Sequence, residues 1–245
     1  MAAPLDPSRP DRAAGGWRAR LRLSVPDLAW EFLRRNVEYR AEFARVSRRP
    51  ARIDPCWGLR FGADPDVPAP QAEIYWRPEA APGLVVPFEQ DAQMSAAEPR
   101  SWRLPGAGRR AEDGLHVRMP EGLQLQYRRG VRPSEPLLVV LAFDQDFGLR
   151  VRAVDRLNRA VAGLAPPPSH VTAAQRERLA KSLLALDGDL AGDSYRAIAG
   201  AIFGEASIAR EPWRTSSLRA ATIRLVQAGR QLMDGGYLKL LRGGL

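Results

Sequence analysis

Three amphipathic segments follow one another between Thr172 and Arg242, and they constrain the fold of this chain more than any other feature. In each segment the apolar residues recur every three or four positions, which is the period of an α-helix with one buried face. The pattern predicts a three-helix module in the last third of the chain. The three segments are residues 172–186, 194–203 and 218–233.

Residues that favour helix ends flank two of these segments. Asp193 or Ser194 would cap the second segment, and Gly204 would end it. Ser216 or Ser217 would cap the third segment in the same way. We expect the second helix to bury the residues that share one of its faces: Tyr195, Ile198, Ala199, Ile202 and Phe203.

The third segment is polar on one side. When its residues are placed about 100° apart, the polar side consists of Arg219, Arg224, Gln227, Arg230 and Gln231. Ile223 is the one apolar residue among them. Arginine and glutamine can hydrogen-bond base edges and phosphates in a DNA major groove. The alternative is a surface that contacts only water, which is common in small helical bundles.

Charge favours a nucleic-acid partner. The chain carries a formal net charge of +9, and residues 210–245 contain seven basic residues and two acidic ones. Such a concentration is typical of a surface that neutralises phosphates. All of the 37 basic residues except Lys181 and Lys239 are arginine. Because a GC-rich genome also enriches arginine, we use the positions of the arginines as evidence and not their number.

The sequence contains no recognisable set of catalytic or metal-binding residues. Cys56 is the only cysteine, so no cysteine-type zinc site can form. His116 and His170 are the only histidines, and they are not at the sequence spacing of metal ligands. Two pairs of aspartates are interpreted as helix caps or turns rather than as metal ligands: Asp144 with Asp146, and Asp187 with Asp189. We predict that the chain is not an enzyme and needs no metal or other cofactor.

Neither a signal peptide nor an apolar run of membrane-spanning length is visible in the sequence. We therefore expect a cytoplasmic protein that does not bind membranes. Composition divides the chain into consecutive parts, and together they predict an α+β fold. These parts are a disordered tail (1–20), a small α+β domain (21–91), an Ala/Ser/Gly/Pro-containing linker (92–113) and a C-terminal domain (114–245).

The predicted elements of these parts follow from their periodicity. A single helix is expected over 28–46, and prolines exclude long helices from 50–98. In the C-terminal domain alternating residues predict a hairpin, an apolar run predicts a buried strand, and a helix precedes the three-helix module over 169–242. The hairpin strands are 115–119 and 123–127, the buried strand is 137–143, and the helix ends near residue 164.

Two parts of the sequence resemble domains of bacterial transcriptional regulators. The segment AWEFLRRNVEYRAEF (29–43), followed by WGLRF (57–61) and IYWRP (74–78), resembles a "transcriptional regulator" domain of otherwise unknown function. The segment LDGDLAGDSYRAIAGAIFG (186–204), with WRT (213–215) and RLVQAGRQLMDGGY (224–237), resembles a second domain found in regulators of integrative and conjugative elements.

This resemblance implies a helix-turn-helix-like C-terminal domain, although the link between Gly204 and Thr215 is longer than a three- or four-residue turn. It also implies two functional classes. Stand-alone members of the second family are anti-activators, whereas members joined to the first domain activate genes for excision and transfer of the element.

We therefore expect a sequence-specific regulator that binds double-stranded DNA and activates the excision or transfer of a mobile element. An anti-activator that binds another regulator is the alternative. A small anti-activator protein or RNA polymerase is a further candidate partner. The residues expected in the major groove are Arg219, Arg224, Gln227 and Arg230. Those expected to contact phosphates are Arg214, Thr215 and Ser217.

Overall fold

The computed structural model describes residues 16–46, 52–90, 108–119, 122–131 and 137–244. In these ranges the chain forms eight α-helices and a five-stranded mixed sheet, which confirms the predicted α+β class. The helices are α1 (Val25–Leu33), α2 (Val37–Val46), α3 (Phe147–Val161), α4 (Ala173–Leu190), α5 (Tyr195–Phe203), α6 (Glu205–Ile208), α7 (Ser217–Gln231) and α8 (Tyr237–Leu241). The strands are β1 (Val85–Glu89), β2 (Gly108–Ala111), β3 (Gly114–Arg118), β4 (Gln124–Arg128) and β5 (Leu138–Val139). Two 3-10 helices cover Gly16–Arg22 and Pro55–Trp57, and a kinked segment, Leu232–Gly236, follows α7.

The described residues form two compact units, and each unit combines segments that are distant in sequence. This interleaved division differs from the consecutive parts expected from composition. The consecutive domains therefore stay a prediction about which pieces of the chain fold independently. The first unit contains the described residues up to 45, with 64–72 and 170–237; the second contains those of 46–63, 73–169 and 238–244.

In the first unit, α4 packs against the 3-10 helix Gly16–Arg22, α5 and α7. Gly229 allows α7 to approach α4 closely, since a Cβ atom there would lie 2.7 Å from the Ser182 carbonyl oxygen and 2.9 Å from the Leu186 Cβ. The apolar side of the third predicted helix therefore faces α4. The core of this unit includes Trp17, Ala180, Leu184, Ala185, Ile198, Ile202 and Val226.

The structure confirms the three helices predicted between Thr172 and Arg242, with caps at Ser194 and Ser216. The side chain of Ser194 accepts a hydrogen bond from the backbone of α5, and Gly204 ends that helix with a φ of 86°. Two expected core residues of α5 need correction. Tyr195 is 41% exposed, because it lies in the first turn before the buried face begins at Ile198. Phe203 is only partly buried, at the other end of the helix.

The helix expected over 28–46 is two helices, α1 and α2. The cause is Asn36, whose side-chain oxygen accepts hydrogen bonds from the backbone N–H groups of Glu38 at 2.9 Å and Tyr39 at 3.0 Å. An asparagine in this role satisfies the free N–H groups of a new helix start. Its side-chain nitrogen also donates to the Met233 carbonyl at 3.3 Å, so the break is fixed by packing within the first unit.

The chain is ordered earlier than the predicted disordered tail suggests. Residues 1–15 lie outside the described residues, but the following Gly16–Arg22 forms a 3-10 helix. Trp17 is 7% exposed, and its indole N–H donates to the Ile202 carbonyl at 3.3 Å. Burial of a large aromatic ring and satisfaction of its one donor give this short segment a fixed position on the first unit.

The second unit is built on the sheet, whose strand order is β2-β3-β4-β1-β5. The predicted hairpin is confirmed as β3 and β4, while β1 runs parallel to β4 on the other side. The turn residues Pro120 and Glu121 lie outside the described residues. β2 begins at Gly108 and pairs with β3, although composition places this stretch in a linker. The linker residues 92–107 lie outside the described residues.

The buried strand expected over 137–143 is shorter and less buried than predicted. Only Leu138–Val139 pairs with β1, and the chain then leaves the edge of the sheet. Val140 is 47% and Phe143 is 91% exposed as a result. The following helix α3 packs on the sheet through Ala153 and Leu157 and ends at Val161, slightly before the predicted end.

Candidate nucleic-acid interface

The seven residues expected to contact DNA are all exposed, and they lie on α7 or just before it. Four of them, which we call the outer face of α7, project from the helix: Arg219, Arg224, Gln227 and Arg230. The other three precede or begin the helix: Arg214, Thr215 and Ser217. All seven residues that the sequence pattern selected are therefore accessible to a partner, four along α7 and three at its start.

The opposite side of α7 holds the helix firmly on the first unit. Thr222 is fully buried, and its hydroxyl donates to the Leu218 carbonyl at 2.8 Å, so this polar side chain is satisfied within the helix. Val226 is buried in the core, and Gly229 allows close contact with α4. The outer face is thus carried on a rigid helix rather than on a loop.

The start of α7 is capped by Ser216, which is buried and accepts a hydrogen bond from the Leu218 N–H at 3.1 Å. The adjacent Thr215 donates its hydroxyl proton to the Pro212 carbonyl at 3.3 Å, so a phosphate contact by this hydroxyl would have to replace that bond. Ser217 is exposed at the first helical position, where N–H groups of a helix lack partners within the helix. Of these serine and threonine residues, Ser217 is the better placed to contact a phosphate.

The arginines of this region differ in their partners. Within the described ranges, Arg214, Arg219 and Arg224 form no ion pair or hydrogen bond through their side chains and extend into solvent. Arg230 differs, because its Nε donates to Asp189 Oδ2 on α4 at 2.6 Å. The first three side chains are therefore free to bind an anionic partner, whereas Arg230 is held by the protein.

A second arginine cluster lies inside the first unit, where α4 meets the N-terminal segment. Asp187 accepts a hydrogen bond from Arg20 at 2.9 Å and is also bound by Arg35 through two nitrogens. Arg35 in turn binds Glu31. Burial opposes ionisation of Glu31, but Arg35 and Arg34 outweigh it and hold the pKa of this carboxyl below its ordinary value. Burial also opposes the charge of Arg35, yet Asp187 and Glu31 raise its pKa.

This cluster corrects the expectation that Asp187 and Asp189 serve as caps or turns. Both side chains bind arginines instead, and the partners of Asp187 are 152 and 167 residues away in sequence. Local patterns carry no information about such distant pairs, so sequence reasoning missed them. The other aspartate pair is partly a cap: Asp146 precedes α3 but makes no capping hydrogen bond with its side chain. Its partner Asp144 accepts one from the Asp146 N–H at 2.9 Å.

The chain matches two family models of transcriptional regulators. Residues 12–62 match a proteobacterial transcriptional regulator-like domain, and residues 140–242 match a model described as "T6SS, Transcription factor, DNA binding domain". No curated protein is similar enough to count as a relative. The two matches show the arrangement of a two-domain transcriptional regulator with a C-terminal DNA-binding domain, and α7 lies entirely within the second match. Within the described ranges, no helix combines the length and the apolar character that a membrane crossing requires.

Proposed function

We propose that this regulator binds DNA in a sequence-specific manner through the outer face of α7, and that it acts as an activator in the cytoplasm. One observation carries the proposal: an exposed helix face of three arginines and a glutamine, inside the segment that matches a DNA-binding domain. Arg219, Arg224, Gln227 and Arg230 would enter the major groove. Arg214, Ser217 and Thr215 would contact phosphates beside the helix start.

A helix-turn-helix-like arrangement is part of this proposal. α4 and α5 are joined by the four residues 191–194, which include Gly192 with a φ of 78°. The link from α5 to α7 is longer and contains the short helix α6. A tight turn therefore joins the first two helices of the module, and α7 would be presented to DNA across a longer connection.

The proposed targets are genes for excision or transfer of an integrative and conjugative element. What supports this is the resemblance of the C-terminal part of the chain to a domain found in regulators of such elements, together with the presence of the N-terminal regulator-like domain. Among the regulators that the chain resembles, the members in which the two domains are joined are activators. RNA polymerase and a small anti-activator protein are the proposed protein partners of an activator of this kind.

The direct test is a DNA titration with an Arg219→Ala/Arg224→Ala double variant at two salt concentrations. Both side chains lack protein partners in the described ranges, so their removal should leave the fold intact while weakening binding to genomic fragments recovered by the wild-type protein. Where either arginine also neutralises a phosphate beside the groove, its loss should reduce the slope of log affinity against log salt by about 1.

A matched control is the double variant Arg45→Ala/Arg110→Ala, which removes the same charge from exposed arginines outside α7. This control should keep most of the affinity. Equal binding by the wild type and the α7 variant, both folded, would reject the outer face as a DNA-binding surface.

An anti-activator that binds another regulator is the second candidate function. The observation in its favour is the exposure of Val140, Phe143 and Val151 in the second unit, because exposed apolar side chains are more typical of protein-binding surfaces. On α7 itself the apolar Ile223 is half-buried, and arginine and glutamine dominate the outer face. A protein that recovers no DNA but inhibits a related activator would favour this second function.

The consecutive domains are also open to test by limited proteolysis. We expect the first cut within residues 92–113, between the proposed domains over 21–91 and 114–245. Because Trp17 and Arg35 bind residues of α4 and α5, the two pieces should stay associated after the cut and elute together. A first cut elsewhere would reject the boundary, and separation of the pieces without denaturant would show that these contacts are weak.

A further inference from the structure

Arg230 on α7 differs from the other arginines of the proposed interface, because it is paired with Asp189 on α4. Arg219 and Arg224 lack partners in the described ranges, but Arg230 donates from Nε to Asp189 Oδ2 at 2.6 Å. The arginine remains 60% exposed, whereas the aspartate side chain is only 13% exposed. The carboxylate therefore lies under the surface and the guanidinium lies on it.

The atom that makes this bond determines what Arg230 can still do. Nε points sideways from the guanidinium, so its bond to Asp189 leaves both terminal nitrogens without protein partners in the described part of the chain. These two nitrogens form the edge that donates two parallel hydrogen bonds to a single acceptor group. A fixed arginine also loses less rotamer freedom when it binds a ligand, because the protein has already restricted the side chain.

Two kinds of acceptor in DNA accommodate that edge: a phosphate, and the N7 and O6 atoms of guanine. Asp189 distinguishes them by charge. A carboxylate next to the guanidinium repels the negative charge of a phosphate, but it has a much weaker effect on the neutral edge of a guanine. The pair therefore favours the base over the backbone, whereas the unpaired Arg219 and Arg224 carry no such restriction.

We propose that Asp189 orients Arg230 as a specificity-determining residue that donates two hydrogen bonds to one guanine of the binding site. The inference rests on the proposed function, since it requires α7 in the major groove. It assigns distinct roles within the outer face. Arg230 contacts a base, Asp189 is a positioning residue that does not touch DNA, and Arg219, about 16 Å away along α7 by helix geometry, contacts a phosphate.

The test is selection of binding sites from a pool of duplexes with a randomised 20-base-pair core, followed by sequencing. Four proteins are compared: the wild type, Arg230→Ala, Arg230→Lys and Asp189→Asn. The wild type should select one G·C pair that depends on Arg230. In Arg230→Ala and Arg230→Lys the preference for that pair should fall about fivefold or more, since lysine keeps the charge but lacks the paired donors.

Asp189→Asn is the most informative of these variants, because it leaves Arg230 in place and nearly preserves the shape of residue 189. The same G·C preference should fall, while affinity for an unrelated duplex should rise as the released arginine becomes available to phosphates. The slope of log affinity against log salt should steepen by about 1. Thermal melting of each variant verifies that the fold is kept.

Two results would overturn the proposal while leaving DNA binding by α7 intact. One is that Arg230→Ala weakens all sequences equally and selects the same sites, which would make Arg230 a phosphate contact. The other is that Asp189→Asn selects the wild-type sites with unchanged preference, which would reduce the pair to a helix–helix contact. If the Arg219→Ala/Arg224→Ala variant also binds DNA normally, the proposed function itself fails, and this inference fails with it.

Discussion

Asp187 and Asp189 are two residues apart on α4, and they face different parts of the first unit. Residues at this spacing project to nearly opposite sides of a helix. Asp187 faces the N-terminal segment and binds Arg20 and Arg35, with its side chain only 9% exposed. Asp189 faces α7 and binds Arg230 at the surface. Asp187 thus binds the N-terminal segment that matches a regulator-like domain, and Asp189 binds the helix that is proposed to contact DNA.

The difference between the two sites is one of burial and number of partners. On the Asp187 side four charged groups are enclosed together, so removal of one leaves the others desolvated and uncompensated. On the Asp189 side the arginine is largely in solvent, where an ion pair contributes little to stability. The first site therefore stabilises the fold, and the second is available for binding.

The largest expected effect is that of Asp187→Asn. This change should lower the free energy of unfolding by about 3–5 kcal/mol, because Arg20 and Arg35 lose their shared carboxylate in a buried place. Urea unfolding followed by circular dichroism measures it. Asp189→Asn is the matched control on the same helix and should leave the urea midpoint almost unchanged. Equal effects of the two substitutions would contradict the difference between the sites.

A smaller effect is expected from Phe203→Ala, on the side of α4 that faces the N-terminal segment. The ring is partly buried and lies 5.6 Å from Lys181 Nζ, whose ammonium group also lies over Trp17. We expect a loss of about 2 kcal/mol, below the range for a fully buried phenylalanine. Tyr195→Ala, at the exposed start of the same helix, is the control and should cost much less. A loss below about 1 kcal/mol for Phe203 would show that this end of α5 does not contribute to the core.

The smallest effect is the pH-dependent part of the contribution that Glu31 makes to stability. Its carboxyl has a pKa in the folded protein below the ordinary value of 4.5, so it contributes stability at pH values above 4.5. That contribution is lost as the pH falls from 4.5 through the folded-state pKa, because the unfolded chain then binds the proton more readily. The Glu31→Gln variant should be less stable than the wild type at pH 7. The difference between their free energies of unfolding should become smaller in acid. A difference that stays constant from pH 7 to pH 3 would show that the carboxylate charge does not matter.

Much of the first unit could be predicted because short sequence patterns indicate the ends and the buried faces of its helices. The periodicity of 218–233 identified α7, and at two helix starts one of the two cap candidates, Ser194 and Ser216, is the cap. Asn36 was also visible in the sequence, and its strong preference for helix starts could have indicated the break between α1 and α2. The pattern of 137–143 was misleading, since an apolar run does not reveal whether a strand continues past the edge of a sheet.

The partners of the two aspartates could not be predicted in this way. Arg35 and Asp187 are 152 residues apart, and Asp189 and Arg230 are 41 apart. These contacts arise only when helices from different parts of the chain pack together, and a single sequence without a structure contains no local signal for them. For the candidate site, the exposed outer face of α7 was predictable from periodicity, but the restraint on Arg230 was not.

The contact between Trp17 and Ile202 has a consequence for the newly synthesised chain. The two residues are separated by 185 positions, so the indole leaves the ribosome long before its partner does. At about 5–20 residues per second, that wait is roughly 10–40 s. During this time the N-terminal segment has no α4 or α5 to cover its apolar side. A chain that stops before α4 lacks the helix against which this segment packs, so its tryptophan stays exposed to solvent.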